Sequence, residues 1–327
     1  MGVERCGGIE ADQLGNEEEA VTNPKPYDIS KRRVLEAYRR VKANLGAAGI
    51  DGMSLTIFEA DLSRNLYKLW NRMSSGTYFP PPVKQVQMPR KQGGVRILGV
   101  QTVSDRIAQQ VVVGRIGADL FGVFHPDSHG YQLGKSAADA VAATRKQCWE
   151  HDWVVEFDIR RAFDELDWDL LRQAIAKHVK DASCLLYIER WLTAPAVSPD
   201  ESPVQRGKGV PQGSVIGPVL MNLFITCAFD EWMKREYPNN PFARYADDAV
   251  AHCRSESEAK ALLAIGVSPV ELVRWVTTRR WQVLSQDPQK PAELTGWAKR
   301  FKFPNCVTKV TATIEPVPRK LMGCRVH

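Results

Sequence analysis

Two adjacent carboxylates stand in Arg244-Tyr245-Ala246-Asp247-Asp248, between the apolar runs Phe242-Ala243 and Ala249-Val250-Ala251. Short apolar runs around such a pair predict a β-hairpin, with buried strands and the acids presented at the turn. Asp is common in ordinary solvent turns, so the pair alone does not identify a site. A third acid does more. Asp158 ends the apolar run Trp153-Val154-Val155-Glu156-Phe157-Asp158-Ile159, which has the length of a short buried strand.

Three carboxylates at neighbouring strand ends make an oxygen cage. Magnesium favours such a site, taking one or two carboxylates from the protein and the rest of its ligands from water and phosphate. Two such ions roughly 4 Å apart stabilise both the attacking and the leaving oxygen of a phosphoryl transfer.

The elements that must position these acids fit a chain of 327 residues, long enough for about two domains. Its 44% hydrophobic and 25% charged residues are those of an ordinary globular protein. The net charge of +6 is uneven: residues 1–30 carry −5, which leaves +11 on the rest and suits a polyanionic partner. The seven cysteines are dispersed, without the close pairs of a zinc site, which predicts free thiols and a reducing, cytoplasmic compartment. Residues 1–20 lack the apolar core of a signal peptide. The longest apolar stretch, Val215 to Phe229, is too short and too interrupted to span a bilayer, so no membrane association is expected.

In chain order, residues 1–25 read as a disordered acidic leader. Val34, Tyr38, Val41 and Leu45 recur at helical spacing, with Gly46 as the stop. The outer face of that helix carries Lys31, Arg32, Arg33, Arg39, Arg40 and Lys42, a density that with Tyr38 suits RNA contact. Ser54 can cap a second helix with the stripe Phe58, Leu62, Leu66, Leu69 and Met73. An alternating run from Val83 to Met88 turns through Lys91-Gln92-Gly93-Gly94 and returns along Val95 to Leu98. This hairpin is basic, with Lys84, Arg90, Lys91 and Arg96, which suits either nucleotide phosphates or a protected sheet edge. Further helices are expected over Ser104–Phe124, after Asp167, over Cys184–Leu192 and over Val215–Trp232. The last is opened by the glycine-rich turn Gly207 to Ser214.

In this order the pieces resemble the reverse transcriptase domain of group II intron-encoded proteins, over roughly residues 26 to 263. The stretches that carry the resemblance are Ala48 to Gly52, Asp105-Arg106-Ile107-Ala108-Gln109, Phe124 to Tyr131, Phe157-Asp158-Ile159, Gly209-Val210-Pro211-Gln212-Gly213-Ser214 and Tyr245-Ala246-Asp247-Asp248. The resemblance implies an α+β right-hand polymerase of fingers and palm over residues 26–264. It also implies two magnesium ions, with manganese as a substitute, and DNA synthesis from dNTPs on an RNA template with a DNA primer. Asp158, Asp247 and Asp248 then look like the metal ligands, joined by the Ile159 carbonyl. Phe163 looks like the aromatic gate under the incoming sugar. Arg90 and Arg96 resemble the residues that hold the triphosphate, Gln212 resembles a pocket residue, and Arg161 and Ala162 offer backbone N–H groups to phosphate.

The chain departs from the family pattern at Arg90, where Lys is usual, and at Ile97 and Gln101, where Pro is usual. After Ala264 the pattern stops. Residues 265–327 hold eleven basic residues, four acids and three tryptophans, with little periodicity. They read as an atypical basic tail without the expected further strand and helical thumb, and so predict an open palm edge. Two other readings stand beside the polymerase: an RNA-binding splicing cofactor (maturase) of the intron RNA, and an inactive truncated remnant.

Overall fold

The computed structural model describes residues 25–89, 94–159, 161–267, 278–285 and 308–310. The leader, Arg90 and most of the basic tail lie outside these residues.

The first three helices among the described residues are α1 (Lys31–Ala43), α2 (Leu55–Ala60) and α3 (Leu62–Ser74). Ser30 caps α1, and the chain leaves it through Leu45 and Gly46, both with positive φ. That exit is the predicted glycine stop, since Gly accepts this conformation without a Cβ penalty. The basic face of α1 is exposed, but Tyr38 is buried against Phe58 and donates to Glu59 (2.6 Å), so it is core. The single helix expected after Ser54 is broken at Asp61, whose backbone leaves helical geometry (φ −133°, ψ 54°). Asn65 Nδ2 donates to the Phe58 carbonyl and satisfies the group that the break leaves open.

The hairpin β1 (Val83–Pro89) and β2 (Val95–Val100) forms with Lys84 opposite Val100 and Pro89 opposite Val95. It is extended by β4 (Ala196–Val197) and β5 (Pro203–Val204), giving a sheet of order β2-β1-β4-β5. Next along the chain come α4 (Val103–Leu120), α5 (Ala137–Cys148) and β3 (Trp153–Ile159). Helices α6 (Ala162–Glu165), α7 (Trp168–His178) and α8 (Ala182–Thr193) precede the β4–β5 hairpin. Asp167 caps α7, as expected, accepting from the N–H groups of Asp169 and Leu170.

The helix expected over Val215–Trp232 is three segments. These are α9 (Gly217–Ile225), a π-helical turn over Thr226–Asp230, and α10 (Glu231–Glu236). The hairpin β6 (Phe242–Tyr245) and β7 (Asp248–Cys253) follows, then α11 (Glu256–Val267), β8 (Thr278–Ser285) and β9 (Thr308–Val310). The second sheet has the order β6-β7-β3-β8-β9 and is antiparallel throughout.

Two sequence expectations about the C-terminal part change. The palm helix α11 runs past Ala264 to Val267. The β3 edge, expected to be open, is paired by β8 over Trp153–Ile159. Residues 278–285 include Thr, Trp and Val, side chains that suit a pleated surface, although the surrounding tail hides that short run.

The main core joins the second sheet to the helices. Helix α4 is its axis: Val103, Ile107, Val111, Val112, Ile116 and Leu120 are buried with Val34, Phe58, Leu171, Ile188 and Leu223. Cys184, Cys227 and Cys253 are free thiols. Among the described residues no helix is long and apolar enough to cross a membrane.

Candidate active site

The acids come together through sheet register. Strand β3 pairs with β7 so that Asp158 lies directly opposite Asp248, and such neighbours hold their Cα atoms about 4.5–5.5 Å apart. Strands β6 and β7 are joined by a two-residue turn, Ala246-Asp247, closed by the Tyr245–Asp248 pair. Asp247 therefore stands in the turn and Asp248 at the first position of β7, both half-buried. A register shift follows Asp158, at Ile159. Bulges of this kind recur beside active sites, where they re-aim the chain.

Ala246 has a left-handed backbone (φ 58°), which is uncommon for a residue with a Cβ and is kept only where its surroundings enforce it. One enforcing element is the segment Asp127–Gly130. The Arg244 N–H donates to the Asp127 carbonyl (2.9 Å) and the His129 N–H donates to the Arg244 carbonyl (2.7 Å). A Cβ on Gly130 would lie 2.3 Å from the Ala246 nitrogen, so only glycine fits there. Tyr131 follows, half-exposed; burial raises its hydroxyl pKa, and the nearby Asp247 charge adds to the effect.

Several residues of the expected nucleotide pocket are linked to one another. Arg96 of β2 is exposed, and its Nε donates to Gln212 Oε1 (2.5 Å). Gln212 Nε2 in turn donates to Asp164 Oδ1 (3.2 Å), so one glutamine links the basic hairpin to α6. The loop that bears Gln212 is pinned from three sides. The Gly99 N–H donates to the Gln212 carbonyl (2.7 Å), the Val210 N–H to the Phe163 carbonyl (2.7 Å) and the Gly209 N–H to the Leu166 carbonyl (2.7 Å). Gly209 (φ 79°) sits so close that a Cβ would meet the Asp164 carbonyl oxygen at 2.6 Å. Phe163 is partly buried, packed on the core, with its ring near Gly217 at the start of α9. Arg161 is left-handed (φ 48°) and pairs with Asp164 (3.4 Å) and Glu165 (3.2 Å), while Ala162 opens α6 and is buried. Arg90 lies outside the described residues, as does the side chain of Asp158.

Two groups of buried polar residues support the site and were not assigned roles from the sequence. In the first, Asp105 accepts from Tyr78 Oη (2.8 Å), Trp191 Nε1 (2.7 Å) and Gln109 Nε2 (2.9 Å). Burial pushes its carboxyl up to about 6, against the downward pull of those three donors. Gln109 Oε1 then accepts from the N–H groups of Val215 and Ile216, fixing the chain where the Gln212 loop enters α9. The second group surrounds Arg244, which is fully buried and paired with Asp230. A single acid inside an apolar helix was the signal available for that pair.

Backbone register brings positions 158, 247 and 248 to one end of the sheet, and carboxylates are the donors that a hard divalent cation prefers. Asp158, Asp247 and Asp248, with the Ile159 carbonyl, are the residues that would hold it.

Comparison with known proteins shows the family of the chain. Residues 88–269 match the family described as reverse transcriptase (RNA-dependent DNA polymerase). Protein YkfC of Escherichia coli is 31% identical over 212 residues, covering 62% of this chain and 55% of that protein. The group II intron-encoded protein LtrA of Lactococcus lactis is 26% identical over 211 residues, covering 64% of this chain and 35% of that protein. The chain thus spans about half or less of the length of these relatives. A telomerase structure from Candida albicans has the same fold over 73% of this chain and 47% of its own, with a TM-score of 0.53 at 11% identity. The family match takes in more than half of the sequence, and the chain belongs to the reverse transcriptase family, in which it is similar to the group II intron-encoded proteins.

Proposed function

We propose that the chain is an RNA-directed DNA polymerase that adds dNTPs to a DNA primer on an RNA template, using two magnesium ions. The observation that carries this reading is the strand register. Asp158 faces Asp248 across the β3–β7 ladder, and Asp247 stands in the adjoining turn. Arg96 of the basic hairpin is bonded to Gln212, and the charges of Arg96 and Asp247 both act on Tyr131. The telomerase of the same fold was solved with a fragment of telomeric RNA, which favours an RNA template.

In the reaction the primer 3′ oxygen bonds to the α-phosphorus of the dNTP. The bond to the pyrophosphate oxygen breaks, its electron pair leaves with pyrophosphate, and the hydroxyl proton passes to solvent. Asp158, Asp247, Asp248 and the Ile159 carbonyl would hold magnesium, or manganese in its place, and the metal would supply positive charge that stabilises the attacking and leaving oxygens. Arg96, with Arg90 from the same hairpin, pairs with the triphosphate in the bidentate manner open to a guanidinium. The Arg161 and Ala162 N–H groups approach the phosphates, Gln212 lines the pocket, and Phe163 packs under the sugar where a 2′-OH would otherwise stand.

The test is primer extension by the unmutated chain on an RNA template, with magnesium, with manganese and with chelator. Metal-dependent incorporation of dNTPs is the expected result. Tight RNA binding with no incorporation under any metal would instead favour a splicing cofactor.

A further inference from the structure

The geometry points to Arg244 as a positioning residue that fixes the metal-binding turn from beneath, through a rivet made with Asp230, Thr226 and Asn222. This rests on the metal-site reading above. Arg244 and Asp230 are 0% and 1% exposed. A buried guanidinium must use all five of its N–H donors or lose their solvation without return, and Arg244 uses all five. Nε donates to Asp230 Oδ1 (2.7 Å), and Nη2 donates to Asp230 Oδ2 (2.6 Å) and Thr226 Oγ1 (3.2 Å). Nη1 donates to Asn222 Oδ1 (2.8 Å) and to the Ala246 carbonyl (2.9 Å).

Four of these bonds anchor the fork to one helix, and the fifth reaches the turn. The Ala246 carbonyl belongs to the peptide that enters Asp247, so its direction sets where the two acids are presented. The same residue carries the left-handed backbone, which a two-residue hairpin needs at this position. A glycine would adopt it freely; with alanine there, the carbonyl bond from Arg244 and the close approach of Gly130 hold it.

The π-helical turn has a place in this arrangement. Every four residues of an α-helix overshoot a full turn by about 40°, so positions 222, 226 and 230 would drift around a regular helix. The wider turn over Thr226–Asp230 counters the drift, and all three side chains reach one guanidinium. Thr226 Oγ1 also donates to Asp230 Oδ2 (3.0 Å), which orients the carboxylate for the fork. Such π-turns recur at functional sites.

The chemistry of Arg244 is specific to a planar fork. Lysine would retain the charge opposite Asp230 but offers three donors around one point, so it cannot serve Asp230, Thr226, Asn222 and Ala246 together.

The experiment uses the full chain and reads Mn2+ binding by electron paramagnetic resonance, without turnover. Removing only one member of a buried pair leaves an unpaired charge and threatens the fold, whereas replacing both by apolar residues is often tolerated. The variant is therefore Arg244→Met with Asp230→Leu, checked for folding by circular dichroism. We expect a folded protein whose Mn2+ affinity falls about 10- to 100-fold, as when residues supporting metal ligands are lost. A folded double variant that binds Mn2+ as the unmutated chain does would overturn the role. Should that variant fail to fold, Arg244→Lys carries the same test, with reduced affinity expected and unchanged affinity refuting. Asp247→Asn with Asp248→Asn is the control for the site itself. If that control leaves Mn2+ binding intact, the metal site is elsewhere and the positioning role falls with it.

Discussion

His252 is the next-to-last residue of β7, four residues beyond Asp248, and is fully buried. Burial, with His151 nearby, depresses its pKa from 6.5 to about 3. The sign follows from proton counting. The folded state holds this ring neutral, whereas the unfolded chain protonates it below about 6.5, so the contribution to stability is full above that value and is lost as pH falls toward 3. Between about pH 7.5 and pH 5.5 the loss integrates to about 1.4 kcal/mol. Asp105 acts in the opposite sense: its folded pKa of about 6 lies above the ordinary 3.8, and its protonation stabilises the fold over part of the same range. Total stability against pH would therefore mix the two. The difference between the unmutated protein and His252→Leu removes the Asp105 contribution, since both proteins carry it, and it also removes any fixed cost of the substitution. Urea unfolding at the two pH values is the assay. The unmutated chain should lose about 1.4 kcal/mol more than the variant on acidification. Equal losses in the two proteins would show that His252 titrates normally in the fold, and that the β7 interior is wetter than described.

Three further outcomes follow from the pocket. Phe163→Ala should relax discrimination against ribonucleotides, read as the ratio of deoxy- to ribonucleotide incorporation. An unchanged ratio, with only the loss of about 3–5 kcal/mol typical of a truncated core aromatic, would make Phe163 a packing residue alone. Arg96→Ala should raise the KM for dNTPs about 10- to 100-fold, the equivalent of a charge-assisted hydrogen bond worth about 1.5–3 kcal/mol, and an unaltered KM would remove Arg96 from the triphosphate. Gly209→Ala forces a side chain onto a left-handed backbone beside the Asp164 and Phe163 carbonyls. It should cost at least about 1–3 kcal/mol in urea unfolding, and a stability equal to the unmutated protein's would contradict the tight approach.

What the sequence disclosed was local. The alternation of Val83 to Met88 forecast β1, Asp167 forecast the start of α7, and the apolar flanks of the two acids forecast the β6–β7 hairpin. The pairing of Asp158 with Asp248 was not local, because register between strands ninety residues apart is set by the whole sheet. The role of Arg244 was not local either, because only the fold brings Asp230 from a helix to pair with it. Some local signals went unused. Ser136 and Asp139 form a capping box at the start of α5, a helix absent from the sequence reading although its signature is plain. The break at Asp61 and the π-turn at Thr226 interrupt apolar periodicities that would otherwise run on, and periodicity alone marks neither.

The central claim is that Asp158, Asp247 and Asp248 together hold the metal for nucleotidyl transfer. Its most direct test is single-nucleotide incorporation on an RNA template by the unmutated chain and by Asp158→Asn, Asp247→Asn and Asp248→Asn, each checked for folding. Asparagine keeps the size of the side chain and removes its charge, so each folded variant should lose more than about 10²-fold in rate. Incorporation at the unmutated rate by any one of the three would contradict the assignment of that acid, and by all three would contradict the site.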